Sequence, residues 1–197
     1  MEPTAAPDGP AFYFDLFSPE AYLAAERVIG LLPVSAEWIP VSAAGLPAAD
    51  TLEGWRCDTD REAFFDRIAR VATRRGLQPL VWPQPFPTDS RFAMLVATYA
   101  KQIGRTVPFA LAAYRQAFAG GRDLAIADNV LIAAAACEMH PNAVLKAAEL
   151  RSVGEALERT TAEAAELGIA SLPAIWSQGG LFSGLEALDA AARSLVR

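Results

Sequence analysis

Between Phe12 and Leu23 an apolar run, Phe-Tyr-Phe-Asp-Leu-Phe, passes through Ser18-Pro19 straight into a helix-forming stretch, with no room for a loop. That junction constrains the local geometry. The run at 11–16 suits a buried strand and Ser18 an N-cap; Pro19 suits the first helical position, where its fixed φ is already helical and its missing N–H is not needed. Ser18 therefore stands at a helix N-terminus, beside N–H groups without an intrahelical acceptor and in a partial positive field. An anionic ligand atom, a thiolate above all, would meet both a hydroxyl donor and a favourable potential there. The only comparable signal is Gly168-Ile-Ala-Ser-Leu-Pro173-Ala-Ile-Trp176, where a helix stops at glycine and a proline opens an apolar strand.

The order of elements around these signals sets the fold class. A helix over 19–32 is stopped by Pro33, and 34–41 reads as a second strand. A loop rich in Ala, Gly and Pro (42–57) leads to a helix over 61–75, with Phe64, Phe65, Ile68, Val71 and Ala72 on one face and Gly76 as its stop. Four prolines (Pro79, Pro83, Pro85 and Pro87) force 77–87 to be irregular. Helices follow at 89–103, 107–119, 128–138 and 142–150, and Ser152-Val-Gly-Glu155 reads as a capping box opening a helix to Leu167. The end returns to a strand at 173–176, a turn at 177–180, a strand at 181–183 and a helix from about 185 to 196. A β-α-β start, an all-helical middle and a β-β-α end describe an α/β chain whose small sheet is split by a helical insert.

Charge and cysteine usage narrow the function. With a net charge of −6 and 23 acidic against 17 basic residues, neither nucleic acid nor an anionic membrane is expected as the main partner. Cys57 and Cys137 form no Cys-x-x-Cys pair, Cys137 sits in an alanine-rich apolar run that suits buried packing, and two free thiols fit a reducing compartment. His140, the only histidine, precedes Pro141 with no ligating neighbours, so it reads as a surface or capping residue and no metal is expected. The first ten residues lack the basic-then-apolar pattern of a signal peptide, and no run approaches the ~20 apolar residues of a membrane span. The expectation is a cytoplasmic protein.

Four motifs carry a resemblance over nearly the whole chain. They are Phe-Tyr-Phe-Asp-x-x-Ser-Pro-x-x-Tyr-Leu-Ala at 12–24, Arg-x5-Gly-Leu-x5-Pro at 70–83, Thr-x-Glu-Ala-x3-Gly-Ile-x2-Leu-Pro at 161–173, and Phe-x-Gly-x-Glu-x-Leu at 182–188. Together they resemble the DsbA-like branch of the thioredoxin superfamily, and within it the 2-hydroxychromene-2-carboxylate isomerase and kappa-class glutathione transferase group. The resemblance implies a thioredoxin-like domain over 10–57 and 168–197, with a four-stranded mixed sheet, a helical insertion domain over 58–167, and a ligand cleft between them. Redox-active relatives hold Cys-x-x-Cys where this chain has Ser18-Pro19-Glu20-Ala21, so thiol–disulfide exchange by sulfur at that turn is excluded.

The resemblance also implies roles. Ser18 would donate to the thiol of glutathione, or of another low-molecular-weight thiol, favouring its thiolate by about 1–3 kcal/mol. Leu172, before an expected cis bond to Pro173, would pair with the cysteinyl backbone, while Leu185 and Glu186 would meet the γ-glutamyl end. The implied activity is a non-redox, thiol-dependent isomerase acting on a small aromatic-derived acid, or a kappa-type transferase; relatives often form homodimers. Three departures, Arg67 where relatives tend to carry Asp, Ala174 and Leu185, favour a second reading: a redox-silent, DsbA-like binding protein without catalysis.

From the residues alone, Ser18 is equally a plain N-cap, and the two roles are compatible. Glu186 near a helix start is also simply favourable to the helix dipole. Trp55, Arg56 and Arg61 lie at the junction of sheet and insert, and Trp82 and Phe86 on the proline-rich segment would wall the same cleft. An arginine there suits a substrate carboxylate, although exposed arginines are commonly just solvated. Asp89 or Ser90 suits an N-cap for the helix that follows.

Overall fold

The computed structural model describes residues 6–48, 55, 57–178 and 180–195. Strand β1 (Ala11–Phe14) is buried along its whole length. Its alternation explains why. Phe12 and Phe14 enter one core with Trp38, Tyr114 and Phe118, while Ala11 and Tyr13 enter a second with Ile39, Val41, Ile169 and Ala174. A strand apolar on both faces has to be central, and β1 is: the sheet order is β2-β1-β3-β4. Strand β2 (Glu37–Pro40) runs parallel to β1, β3 (Ala174–Ser177) antiparallel to it, and β4 (Gly180–Ser183) antiparallel to β3. Phe12 lies opposite both Trp38 and Ile175, so the two ends of the chain meet at the centre of the sheet.

Helix α1 (Pro19–Leu31) starts as the Ser-Pro pair requires: Ser18 Oγ accepts the Ala21 N–H at 3.1 Å and Pro19 occupies the first turn. Helix α2 (Asp58–Arg74) begins earlier than expected, with Asp58 and Asp60 in a first turn whose dipole favours them. It stops at Arg75, and Gly76 follows at φ +68°, a conformation glycine adopts without steric cost. Residues 77–90 hold no regular element. Then come α3 (Arg91–Gln102), α4 (Thr106–Phe118), α5 (Ala127–Ala135), α6 (Pro141–Glu149), α7 (Arg151–Glu166) and, after the sheet, α8 (Ala187–Leu195).

Two local expectations fail for identifiable reasons. The capping box at Ser152 does not form, because Leu150 ends α6 and opens α7. Its carbonyl takes the Val153 and Gly154 N–H groups at 3.0 and 3.3 Å, which draws Ser152 into the helix. Helix α5 ends at Ala135 instead of 138, since Glu138 sits at φ +61° and the Met139 N–H turns back to the Ala134 carbonyl. His140 does cap α6, its Nδ1 accepting from the Asn142 N–H at 3.3 Å.

The larger core joins sheet and helices without a break. A row of rings runs from Phe14 to Tyr114 (6.3 Å between centroids), on to Phe118 (6.4 Å) and Tyr22 (5.5 Å), linking β1, α4 and α1. Helix α8 is fastened to α1 by a bidentate Arg27–Asp189 pair at 2.8 and 2.9 Å, with Arg75 adding a contact to Asp189 at 3.3 Å. Among the described residues no helix is long and apolar enough to cross a membrane.

The Arg27 hydrogen bond, opposed by burial and aided by the Arg27, Arg75 and Arg193 charges, holds the Asp189 carboxyl below the usual carboxylate range. The pair's contribution is therefore complete above that range and is lost as pH falls through the lowered folded value. Asp189→Asn is expected to cost about 1 kcal/mol at neutral pH and progressively less as pH falls below the usual carboxylate range. Urea unfolding at neutral pH and at a series of acidic pH values checks this; a cost that does not fall with pH would contradict it.

Candidate functional site

The turn between β1 and α1 is organised by Asp15, whose carboxylate is buried. One oxygen accepts the Phe17 N–H at 3.1 Å and the other the Ala43 N–H at 2.9 Å, while the Ser90 hydroxyl adds a side-chain bond. Ser90 thus serves Asp15 and makes no cap with its side chain; next to it Asp89 accepts the Arg91 N–H at 2.8 Å. The Asp15 carbonyl takes the Ser18 N–H at 3.2 Å and the Tyr114 hydroxyl at 2.9 Å. Burial pushes the Asp15 carboxyl above its ordinary range, opposed by the Ser90 and backbone hydrogen bonds; the same burial, then the Asp15 charge, pushes the Tyr114 phenol well up. Four separate stretches of chain are pinned at this one residue.

Above it lies a cavity of about 260 Å³ that Phe17, Ser18, Trp55, Phe64, Phe86 and Leu172 help to line. Ser18 is only 4% exposed, yet it opens on this space. Its Oγ accepts from Ala21, and its own hydroxyl hydrogen has no acceptor among the described residues, so it can point at a ligand. The Leu172–Pro173 bond is cis, as the resemblance implied. The Pro173 carbonyl is taken by the Gly184 N–H at 2.8 Å, whereas the Leu172 N–H and C=O have no partner among the described residues. The cavity therefore offers a hydroxyl and a helix N-terminus on one side and an unpaired stretch of backbone on another.

The remaining wall is aromatic. Trp55 sits 5.7 Å from Phe64, 5.6 Å from Phe65 and 5.9 Å from Phe86 between centroids, and Trp82 stacks on Phe65 at 4.0 Å. Trp55 and Phe86 line the space, while Trp82 does not reach it and packs against Phe86 at 5.0 Å. Phe86 lies between two cis prolyl bonds, Gln84–Pro85 and Phe86–Pro87.

Other expected residues are placed elsewhere. Arg61 turns toward Asp58 (3.8 Å) and the Phe65 ring (6.0 Å) and does not line the cavity. Arg56 lies outside the described residues. Leu185 contributes its carbonyl to Arg75 at 3.0 Å, and Glu186 opens on a second concavity; of this segment only Gly184 reaches the first. Among the described residues the cation at the cavity is Arg67, which the sequence marked only as a departure. It bonds Glu20 at 2.7 Å and lies 5.3 Å over the Phe64 ring, and all three residues line the space. The i, i+3 spacing of Phe64 and Arg67 puts them on one helix face, a signal available in the sequence. Neither cysteine lines the cavity: Cys57 is exposed and Cys137 buried, its thiol pushed up by burial.

The chain belongs to the DSBA-like thioredoxin domain family, whose description matches residues 11–196. Three solved structures share the fold. A 2-hydroxychromene-2-carboxylate isomerase is similar with a TM-score of 0.82 at 18% identity, over 95% of this chain and 94% of that one. A probable DsbA oxidoreductase from Streptomyces coelicolor gives 0.77 at 17%, over 95% and 88%. The cytosolic disulfide reductase DsbM from Pseudomonas aeruginosa gives 0.66 at 14%, over 95% and 96%. At these identities the likeness establishes the fold. No curated protein matches the chain by sequence.

Asp15→Ala removes the acceptor of two backbone N–H groups, each worth about 1–3 kcal/mol when left buried and unpaired. A loss of roughly 3 kcal/mol in urea unfolding is expected. A loss within about 0.5 kcal/mol, the range of ordinary surface changes, would show that the turn does not depend on it.

Proposed function

We propose that this protein is a thiol-dependent, non-redox enzyme whose cofactor is glutathione or a similar low-molecular-weight thiol, acting on a small unsaturated, aromatic-derived acid. One observation carries the reading: Ser18, with a free hydroxyl hydrogen at a helix N-terminus, and Leu172, with an unpaired backbone, line one cavity although they come from opposite ends of the chain. In that site the Ser18 hydroxyl donates to the cofactor sulfur and favours the thiolate. The extended cysteinyl backbone of the cofactor pairs with Leu172.

The chemistry is an addition and its reversal. The thiolate forms a C–S bond to the β-carbon of the conjugated acid, and the π electrons move onto the conjugated acceptor. Rotation follows about what is now a single bond. The electron pair then returns, the C–S bond breaks and the thiolate is regenerated, with no net oxidation. A transferase would differ in retaining the C–S bond. Phe64, Phe86 and Trp55 provide an apolar wall for an aromatic ring, and among the described residues Arg67 is the cation within reach of a carboxylate. An exposed Cys57 left free suits the reducing cytoplasm, where glutathione is abundant.

The second reading is a redox-silent binding protein that keeps the backbone edge and catalyses nothing. Its specific support is Glu186, the expected γ-glutamyl contact, which opens on a different concavity.

Thermal unfolding with glutathione and with alternative thiols separates the two. A thiol present at 100 times its dissociation constant is expected to add ~2.7 kcal/mol, whereas no shift with any thiol would favour the silent binding protein. In a complex that does form, Ser18→Ala is expected to raise the pKa of the bound thiol, read from thiolate absorbance against pH. An unchanged titration would remove Ser18 from the chemistry.

A further inference from the structure

Helices α1, α2 and α8 meet at a second concavity of about 300 Å³, on which Arg27, Arg74, Arg75, Glu186, Asp189 and Arg193 open. In a chain of net charge −6, four guanidinium groups here face two carboxylates. Two of the four have structural work. Arg27 holds Asp189 in a bidentate pair, and Arg75 reaches the Leu23 carbonyl at 3.5 Å, the Leu185 carbonyl at 3.0 Å and Asp189 at 3.3 Å. The other two do not: Arg74 and Arg193 are exposed and have neither ion pair nor hydrogen bond among the described residues.

We propose that this concavity is a binding site for a dianionic oxyanion of the phosphate-monoester class, held chiefly by Arg74 and Arg193. Four cationic against two anionic side chains leave a formal +2, which a dianion neutralises and a simple carboxylate does not. Planar guanidinium groups present paired N–H donors that match phosphate oxygens. Burial first, then the nearby Arg27 charge, lowers the Arg75 pKa; Asp189 and Glu186 oppose this, and Arg74 adds a smaller lowering. An anion placed among these groups relieves that repulsion. The walls come from three separate helices, and Asp189 fixes Arg27 and Arg75 at the back of the concavity, which leaves Arg74 and Arg193 at its open edge to meet the anion. This site is distinct from the Ser18 cavity, sharing no lining residue with it, and does not depend on the thiol reading.

Isothermal titration of the full chain with inorganic phosphate, at slightly alkaline pH and low salt, tests the proposal, with acetate as the monoanionic control. Saturable phosphate binding that weakens with added salt is expected, together with little or no acetate binding. Arg74→Ala/Arg193→Ala should weaken phosphate binding by at least about tenfold, equivalent to about 1.4 kcal/mol. Both positions are exposed, so the thermal midpoint of the double variant should stay close to that of the parent. Absence of phosphate binding, equal binding of acetate, or a loss smaller than tenfold in the double variant would each overturn the assignment.

Discussion

One buried carboxylate holds the architecture of the site together. Asp15 ends β1 inside the core, where an ionised group survives only if its oxygens are fully engaged. They are engaged by groups that shape the cavity: the Phe17 amide beside Ser18, the Ala43 amide after β2, and the Ser90 hydroxyl ahead of α3. The carbonyl of the same residue anchors Tyr114 from α4 and the Ser18 amide. Because sheet and helices share one core, this point fixes where the N-terminus of α1 aims. Ser18 gains its orientation from Asp15 and from its cap to Ala21, not from any contact across the cavity.

The cavity divides by chemistry. Its polar side consists of a hydroxyl, a helix terminus and unpaired backbone, which suits an extended, peptide-like thiol. Its other side is aromatic, closed by the Arg67–Glu20 pair lying along Phe64. Helix α2 borders both concavities, carrying Phe64 and Arg67 at the cavity and Arg74 and Arg75 at the basic concavity. Arg75 ties the end of α2 to the backbone of α1 and to Leu185, so the two regions rest on one rigid element.

Much of this was legible in the sequence where local rules decide. The strand, Ser-Pro cap and helix at 11–31, the Gly76 stop, the irregular proline segment and the split sheet follow from backbone preference and periodicity alone. The cis bond before Pro173 did not; it came from the resemblance, because most prolines that open strands are trans. The capping box at Ser152 misled because a hydrogen-bonding partner upstream, Leu150, claimed the first turn. Arg61 was the cleft candidate and Arg67 only a departure from the family pattern; the packing of α2 against α1 is what turns Arg67 to the cavity. Asp15 could not be read from spacing as the anchor of the site, since beyond the local Phe17 amide its side-chain partners, Ala43 and Ser90, lie far along the chain.

Where a cofactor sulfur comes to rest decides whether Ser18 acts on a thiol. A crystal structure of the glutathione complex, with sulfur located by its anomalous scattering, is the most direct measurement. The sulfur should lie within hydrogen-bonding distance of Ser18 Oγ, with the cysteinyl amide and carbonyl paired to Leu172. Glutathione ordered elsewhere with its thiol pointing into solvent, or a cavity occupied without any contact to Ser18, would contradict it.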